Sequence, residues 1–450
     1  NSSMLLSLTL LYGYLGASDL SCELFWKLEI KYIQLETIGG HMLLPYLSST
    51  GNEREALKFC DKHVIFQEDH ERNAGDTFAM TFKHGTYLES IDFYGFRKRL
   101  GTSAVRYSIA VERSILNILQ KSTQGLRGVE QVVSNECREL QRFKIQSEDD
   151  LLDVSYNQDL SVRPDWAPPL TTASPHGCLD WWDKWDNVGG SCWWQSVNAV
   201  NLEEKTSAAY REQFRKSIVH RYMLVQAFGV LISSERSLDQ FETFTNEMAR
   251  TLGVELNKGN DQLRLENVAS DSQKLHILTL SVFICSGALM RFTEKPDEAN
   301  AKDFSDLLNL LQGNIAHVHE VVFSDGSKNL LSQEKIFFGG KAVPFTSTYV
   351  REAVSWSALC FQKWQEIVQE MKKKQKKISK SFPDAPPLIS QVKRSCVELF
   401  EGFKTMSAGL MQKIEVQVLE KNAEDLSTEW VNVVDGDWDQ GDRFFREDGQ

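Results

Sequence analysis

Apolar residues recur at helical spacing along most of this chain, whereas the alternation typical of strands is almost absent. In residues 103–120, for example, Val105, Ile109 and Leu116 fall on one face of a helix. Ser103 is a suitable N-cap for that helix. The same periodicity predicts further helices at residues 206–232, 238–252, 272–292, 303–323, 346–377 and 385–420.

Three glycines near the start of the chain mark a repeat. Gly16, Gly51 and Gly85 are 35 and 34 residues apart, and each separates two segments of apolar periodicity. This spacing is the tetratricopeptide period, in which a glycine takes the tight turn between paired helices. The Trp usual in that repeat is absent, and only Ala56 occupies the small-residue position cleanly. The pattern predicts degenerate tetratricopeptide-like repeats, and a chance spacing of glycines is the alternative.

The fold class that these patterns predict is all-α, with tetratricopeptide-like helical repeats followed by a C-terminal helical region, in an α-solenoid. We expect the repeats at residues 1–125, a linker with a Trp-rich insertion at 126–205, and the C-terminal helical region at 206–420. Residues 421–450 are expected to form an acidic, disordered tail, since ten acids and three bases fall within 420–450. The net charge of the whole chain is −12, so the rest is nearly balanced and DNA binding is not expected.

Cysteine usage and the apolar segments indicate a protein of a reducing compartment without a membrane span. Eight cysteines are scattered with no CxxC pair, which suits free thiols better than disulfides. Residues 4–17 imitate the core of a signal peptide but lack a basic region before it. The apolar run at 275–290 is shorter than the ~20 residues that a bilayer span needs, so we expect a buried helix there.

Six tryptophans lie in residues 144–205, a stretch that is otherwise rich in proline and glycine. A disordered linker rarely holds so many aromatic side chains. Two interpretations stay open: the insertion packs its aromatics back onto the scaffold, or it presents a patch for docking a partner, because Trp anchors interfaces well. The candidate docking residues are Trp181, Trp182, Trp185, Trp193 and Trp194.

The nearest match to a coenzyme A loop lies at residues 250–255. It ends in Glu255, which would repel phosphate, and it follows a predicted helix where such a loop follows a strand. We therefore interpret it as a helix end capped by Gly253. No catalytic or cofactor-binding residue is predicted on this chain.

Candidate metal ligands are equally weak. His317 and His319 are two residues apart and would point to different faces of a helix. His176, Cys178 and Cys192 offer three zinc ligands, but the spacing is unusual and a fourth ligand is missing. We predict no metal site.

A run of lysines ends the helix predicted at 346–377. A solvated helix end is one interpretation, since cations suit the negative end of the helix dipole. Contact with a phosphate backbone, for example ribosomal RNA, is the functional alternative, and a nuclear address is the third. The run comprises Lys372, Lys373, Lys374, Lys376 and Lys377.

Several blocks of this sequence resemble the auxiliary, non-catalytic subunit of the N-terminal acetyltransferase B (NatB) complex. The first block, KYIQLETIG, resembles the segment that links two of that family's repeats, and the lysine run sits where the family has one. The similarity runs in order over most of residues 1–420, whereas residues 170–200 look like an insertion. The blocks before the lysine run are residues 31–39, 93–100, 111–116, 157–162 and 166–168.

The resemblance implies a helical scaffold and not an enzyme. Such a subunit wraps a small catalytic subunit in a heterodimer, raises its activity and holds it near the ribosome in the cytoplasm. The complex acetylates nascent chains that begin Met-Asp, Met-Glu, Met-Asn or Met-Gln, and acetyl-CoA is expected on the catalytic partner, with no cofactor on this chain. Because the chain begins at Asn1 and lacks the family's N-terminal repeats, we expect a C-terminal fragment. A generic helical-repeat adaptor without an acetyltransferase partner is the alternative.

Overall fold

The computed structural model describes residues 2–14, 17–49, 52–122, 124–162, 208–233, 235–256, 260–268, 271–323 and 342–374, and the single positions 387, 389, 390 and 394. Within these ranges the regular structure is helical and no strand occurs, so the all-α class is confirmed. The α-helices are α1 (Ser2–Tyr14), α2 (Ser18–Lys27), α3 (Gly40–Met42), α4 (Leu44–Ser49), α5 (Glu53–His84), α6 (Tyr87–Gly101), α7 (Ala104–Ser122), α8 (Gly125–Gln141), α9 (Ala208–Ile232), α10 (Leu238–Thr251), α11 (Asp271–Glu294), α12 (Glu298–Phe323) and α13 (Ala342–Lys373). A π-helix spans Leu35–Gly39, and short 3-10 helices span Glu148–Leu151, Leu160–Val162, Asn260–Leu263 and Leu265–Asn267.

The fold divides into two compact units. Unit 1 comprises Asn1–Leu116, Leu140–Tyr222 and Gly339–Thr348. Unit 2 comprises Asn117–Glu139, Met223–Phe338 and Tyr349–Gln450. The four consecutive segments expected from the sequence stay a prediction.

The glycine turn predicted at position 85 is present. Gly85 ends α5 with a φ of 71°, a left-handed conformation that favours glycine. Helix α5 nevertheless runs without interruption over Glu53–His84, whereas a tetratricopeptide repeat of this length holds two helices. The stretch contains no proline, and the Asn52 side chain caps its start by accepting from the Glu55 N–H at 3.4 Å. One long helix therefore stands where a helix pair was expected.

An aromatic cluster joins α2 to α5 in unit 1. Phe25 and Phe59 are fully buried, and their ring centroids are 6.4 Å apart. Trp26 lies at the edge of this cluster, also 6.4 Å from Phe59, with Lys62 Nζ 3.7 Å from its ring centroid. Burying each Phe contributes roughly 1.5–3 kcal/mol, so the cluster is a main source of stability for this part of unit 1.

Two buried tryptophans organise unit 2. Trp356 of α13 lies 5.2 Å from Phe228 of α9, measured between ring centroids. Trp364, about two helical turns further along α13, lies 6.0 Å from Phe304 of α12 and donates its indole N–H to the Ser286 hydroxyl of α11 at 2.8 Å. The hydrogen bond satisfies the Trp364 indole N–H away from water, as is usual for a buried Trp. Helix α13 therefore packs among α9, α11 and α12.

Helix α11 buries the apolar run predicted at residues 275–290. Among the described residues it is the one helix long and apolar enough to cross a membrane, and its stretch Lys274–Glu294 has 21 residues, so the argument from length was wrong. The conclusion that this helix is buried is confirmed, because 83% of its most apolar window lies inside the fold. The hydroxyls of Thr279, Ser281 and Ser286 donate to carbonyls four residues earlier, which satisfies these groups without water.

Most predicted helix limits agree with the structure. Ser103 caps α7, since its hydroxyl oxygen accepts from the Val105 N–H at 3.1 Å. Helices α9, α10 and α11 begin and end within about two residues of prediction, whereas α12 and α13 begin about four or five residues earlier. Gly16, Gly51 and most of the helix predicted at 385–420 lie outside the described residues.

Candidate interaction surfaces

A single buried carboxylate joins four segments of unit 1. Glu36, in the π-helix, is fully buried. Its Oε2 accepts from His63 Nε2 at 2.6 Å and from Gln67 Nε2 at 3.4 Å, both on α5. Its Oε1 accepts from Asn157 Nδ2 at 3.1 Å and from the hydroxyl of Ser103 at the start of α7. Four donors thus occupy both oxygens, which compensates for taking the carboxylate out of water.

Two glycines let the π-helix approach its neighbours. A Cβ on Gly39 would lie 2.4 Å from the Phe59 ring, and a Cβ on Gly40 would lie 2.9 Å from Val105 Cγ1. Both distances are far inside van der Waals contact, so a larger residue would push α5 or α7 away. The motif at residues 31–39, with Gly40 directly after it, therefore supplies both the central carboxylate and the close contacts around it.

The segment that precedes the Trp-rich insertion closes on the same motif. The Asp159 N–H donates to the Thr37 carbonyl at 2.8 Å. Asn157 Nδ2, besides its bond to Glu36, donates to the Arg99 carbonyl at the end of α6 at 3.2 Å. Blocks that are separate in the sequence are therefore neighbours in unit 1, around Glu36.

A second buried charge lies further along unit 1. Arg221 of α9 donates from Nη2 to Glu112 Oε2 of α7 at 2.9 Å, and the two side chains are only 5% and 4% exposed. A buried ion pair adds little net stability compared with apolar packing, but losing one partner is costly. The pair therefore fixes where α9 meets α7. Sequence periodicity had given no sign that either residue is buried.

Helix α6 is apolar on two opposite faces. On its inner face, the Phe93 ring lies 5.0 Å from Phe78 and 5.7 Å from His70, both on α5. Burial and the nearby Arg97 charge lower the pKa of His70, in keeping with a packed position. An apolar helix face is normally packed against another element. The outer face of α6 is instead exposed, and it comprises Tyr87 (59% exposed), Leu88 (79%), Ile91 (67%) and Tyr94 (62%).

Exposed apolar side chains are concentrated on the hairpin of α5 and α6. Of the twelve large apolar side chains exposed among the described residues, six lie within residues 80–94. Phe82 extends the outer face, since its ring centroid lies 5.7 Å from that of Tyr87. The joint patch is on the order of 500 Å², at the upper end for a monomeric protein, and patches of this size mark interaction sites. The periodicity of the sequence did not predict this surface, although apolar residues on two sides of α6 are visible in the sequence.

Three lysines of the predicted run are described, at the end of α13. Lys372 and Lys373 lie in its last turn, and the Lys374 N–H donates to the Glu370 carbonyl at 3.0 Å. All three side chains are exposed. This position agrees with a solvated helix end and leaves the ammonium groups accessible, so an RNA contact stays a prediction. Lys376 and Lys377 lie outside the described residues.

The proposed aromatic docking residues and the histidine and cysteines considered for zinc also fall outside the described ranges. Within those ranges, no group of three or more His, Cys, Asp or Glu side chains could hold a metal ion. His317 lines a cavity of about 370 Å³ together with Arg264, Glu266 and Asp306. Charges of both signs surround this cavity, so no single ligand class is indicated. The residues outside the described ranges are Trp181, Trp182, Trp185, Trp193, Trp194, His176, Cys178 and Cys192.

Residues 250–255 form the end of α10, and the interpretation as a glycine-capped helix end is confirmed. Gly253 has a φ of 71°, and the Val254 N–H donates back to the Ala249 carbonyl at 2.9 Å. A helix C-terminus presents carbonyl oxygens and the negative end of the dipole, which repel phosphate. This segment is therefore not built to hold coenzyme A.

The described cysteines are buried, free thiols. Burial raises the pKa of Cys137 to about 12 and that of Cys22 to about 11, the latter helped by Glu55. Burial likewise raises the pKa of Cys60 and of Cys360 well above the usual range. Because the thiolate is the nucleophilic form, these four side chains are unsuited to covalent catalysis.

Comparison with known proteins gives matches to one family. Residues 1–160 match the family model described as "N-acetyltransferase B complex (NatB) non catalytic subunit". The Arabidopsis thaliana "N-terminal acetyltransferase B complex auxiliary subunit NAA25" is 27% identical over 158 residues, which are 35% of this chain and 15% of that protein. The Homo sapiens "N-alpha-acetyltransferase 25, NatB auxiliary subunit" is 28% identical over 170 residues, which are 37% of this chain and 17% of that protein.

A weak likeness to a solved structure is also found. "The NatB Acetyltransferase Complex Bound To CoA and MES" matches with a TM-score of 0.42 and 14% sequence identity, over 97% of this chain and 46% of that chain. The matched segments of the two curated relatives are less than a fifth of their lengths. The similarity to NatB subunits therefore rests on the family model and the sequence relatives.

The matched region includes every residue that surrounds Glu36, from the π-helix to Asn157. It does not reach the lysine run at 372–377, so the family match extends less far than the 1–420 expected from the ordered blocks. The relatives are named as auxiliary or non-catalytic subunits. Through residues 1–160, this chain is similar to the non-catalytic subunits of the N-acetyltransferase B complex.

Proposed function

We propose that this chain is part of the auxiliary subunit of a NatB-like N-terminal acetyltransferase, where it holds and stimulates a small catalytic subunit. The observation that carries the proposal is the family match over residues 1–160. The names of the relatives support a role without catalysis of its own.

In this proposal acetyl-CoA and the acetyl-transfer chemistry belong to the catalytic subunit. The substrates are nascent chains that begin Met-Asp, Met-Glu, Met-Asn or Met-Gln. The contribution of this chain is a rigid surface, because an interface that is ordered before binding loses less entropy on association. The donors around Glu36 and the ion pair of Glu112 with Arg221 support that contribution, since they hold α5, α7 and α9 in place within unit 1.

The test is co-expression of the complete natural protein with the catalytic subunit of the same organism. We expect the two to co-purify, and we expect acetylation of a Met-Asp peptide to be faster than with the catalytic subunit alone. Titration calorimetry of this chain with acetyl-CoA should give no heat of binding. Separate purification with an unchanged acetylation rate would contradict the proposal, and micromolar acetyl-CoA binding would favour an enzyme.

We further propose that the lysine run contacts ribosomal RNA, which would place the complex on the ribosome in the cytoplasm. The exposure of Lys372, Lys373 and Lys374 at a helix end supports this role. Lys→Glu changes at these three positions should weaken co-sedimentation with ribosomes and lower the slope of log affinity against log salt by about 2. The matched control changes three dispersed, exposed lysines to Glu: Lys83, Lys121 and Lys302. Equal losses in both triple variants would reduce the effect to net charge and refute a specific contact.

A further inference from the structure

We propose that the outer face of α6 is the docking site for a segment of this same chain, the Trp-rich stretch Asp180–Asp186. The outer face is the patch formed by Tyr87, Leu88, Ile91 and Tyr94, all at least 59% exposed. An apolar helix face of this extent is unfavourable in water and is normally buried against another surface. This inference does not depend on the proposed function, because both partners belong to one chain.

The described chain leaves and re-enters beside α6 and its successor. Asn157, five residues before the last described position of that segment, donates to the Arg99 carbonyl at the end of α6 at 3.2 Å. On the return side, Arg211 accepts at its carbonyl from the Tyr156 hydroxyl at 3.1 Å. Residues 163–207, which lie outside the described ranges, are therefore tethered at both ends close to the end of α6.

The length of this tether is sufficient. From Arg99 to Tyr87 the helix axis covers roughly 18 Å at 1.5 Å per residue. The eighteen residues from Val162 to Asp180 span up to about 60 Å when extended, and the return to Ala208 is longer still. The segment Asp180–Asp186 can therefore reach every residue of the outer face.

The chemistry of the two surfaces is complementary. Residues 180–186 read DWWDKWD, with three tryptophans, three aspartates and one lysine, a net charge of −2. On α6 the apolar stripe of Tyr87, Ile91 and Tyr94 continues one turn further to Lys98, and Arg97 and Arg99 flank it, all three exposed. The exposed carboxylates of the helix, Glu89 and Asp92, lie nearer its start, so the cations form its C-terminal end. Tryptophan rings can thus cover the apolar stripe while the aspartates lie near three cations.

Only weak intrinsic affinity is needed for this contact. A tether of this length gives an effective concentration in the millimolar range, so a site with a dissociation constant of about 1 mM is already substantially occupied. Burial of even one indole ring can supply an affinity of that order. A second molecule competing from solution would have to bind far more tightly.

Site-specific photo-cross-linking tests the contact directly. A photoreactive benzophenone side chain is placed at position 91 of the full chain, without any partner protein. The matched control places it at position 65, also an isoleucine of this hairpin and 56% exposed. We expect adducts between position 91 and peptides from residues 163–207, and none from position 65. Adducts to a second copy or to a co-purifying protein, or equal yields from the two positions, would overturn the proposal.

Proteolysis supplies an independent readout. Trypsin cleavage at Lys184 should be about tenfold faster in Ile91→Asp than in Ile65→Asp, because a charge placed in the apolar stripe releases the segment. Circular dichroism at 222 nm checks that both variants stay folded. Equal cleavage rates in folded variants would refute the docking, while the proposed acetyltransferase role would stand, since the assay contains no catalytic subunit.

Discussion

Replacing Glu36 by alanine should destabilise unit 1 more than any exposed charge change. The substitution removes the acceptor for His63 and Ser103, whose side chains are 1% and 0% exposed. Hydrogen bonds to a charged group are worth about 1.5–3 kcal/mol each, and a buried donor left unpaired adds its own desolvation cost. The Gln67 contact, at 3.4 Å, should add little. We therefore expect a loss of about 3–5 kcal/mol in the free energy of unfolding.

The matched control is Glu23→Ala in α2. Glu23 is 59% exposed and pairs with Lys27 at 2.6 Å, an arrangement worth roughly 0.5 kcal/mol or less. Glu36→Gln separates hydrogen bonding from cavity formation. It keeps the side-chain volume, but its amide N–H₂ must face two donors, so most of the loss should remain.

Hydrogen exchange followed by mass spectrometry is the appropriate assay, since a protein with two units need not unfold in one step. In Glu36→Ala, protection should fall most in the π-helix, in the start of α7 and around Asn157, where the donors of Glu36 lie. Peptides from α11 in unit 2 should change least. Urea denaturation supplies the free energy. A change within about 0.5 kcal/mol of the Glu23→Ala value, or an equal loss of protection in α11, would refute the reasoning.

Three further predictions concern packing, thiol burial and ionisation. Gly39→Ala should lower the free energy of unfolding by about 1–3 kcal/mol, because its Cβ would lie 2.4 Å from the Phe59 ring. Gly75→Ala, with open space around the new methyl in α5, should instead raise it by roughly 0.5–1 kcal/mol. Thermal denaturation that shows the same sign of change for both variants would contradict this prediction. Native Cys60 and Cys137 should resist iodoacetamide at pH 8, and fast labelling without denaturant would argue against their burial. Because burial raises the folded-state pKa of Cys137 to about 12, stability should be intact below pH 9 and should fall above it, by up to about 1.4 kcal/mol per pH unit for each such thiol, as measured by urea titration at pH 8 to 10.5.

Local interactions account for what could be predicted from the sequence. The all-α class, the Ser103 cap and the left-handed turn at Gly85 depend on contacts within about four residues. The glycine cap at Gly253 is of the same kind and ruled out a coenzyme A loop there. Some predicted helix limits differ from the observed limits by a few residues, because helix ends fray.

The length of α5 shows where a repeat pattern misleads. The glycine spacing of 34 residues suggested a helix pair, but residues 53–84 contain no proline and the single glycine, Gly75, does not end the helix. Interior glycine costs only about 1 kcal/mol in a helix, which the packing of this helix offsets. A period in the sequence therefore located the turn at Gly85 without determining what lies between two turns.

By itself the sequence determined that this chain is helical, roughly where α7 and α9–α11 begin and end, and which family its first blocks resemble. Only the tertiary structure decided that Glu36 is buried, since its donors His63 and Asn157 come from 27 and 121 residues away. The exposure of the outer face of α6 likewise depends on what packs against it, and no local pattern encodes that. Helical periodicity arises from neighbours along the chain, whereas burial of a charge or exposure of an apolar face is set by segments that meet only after folding.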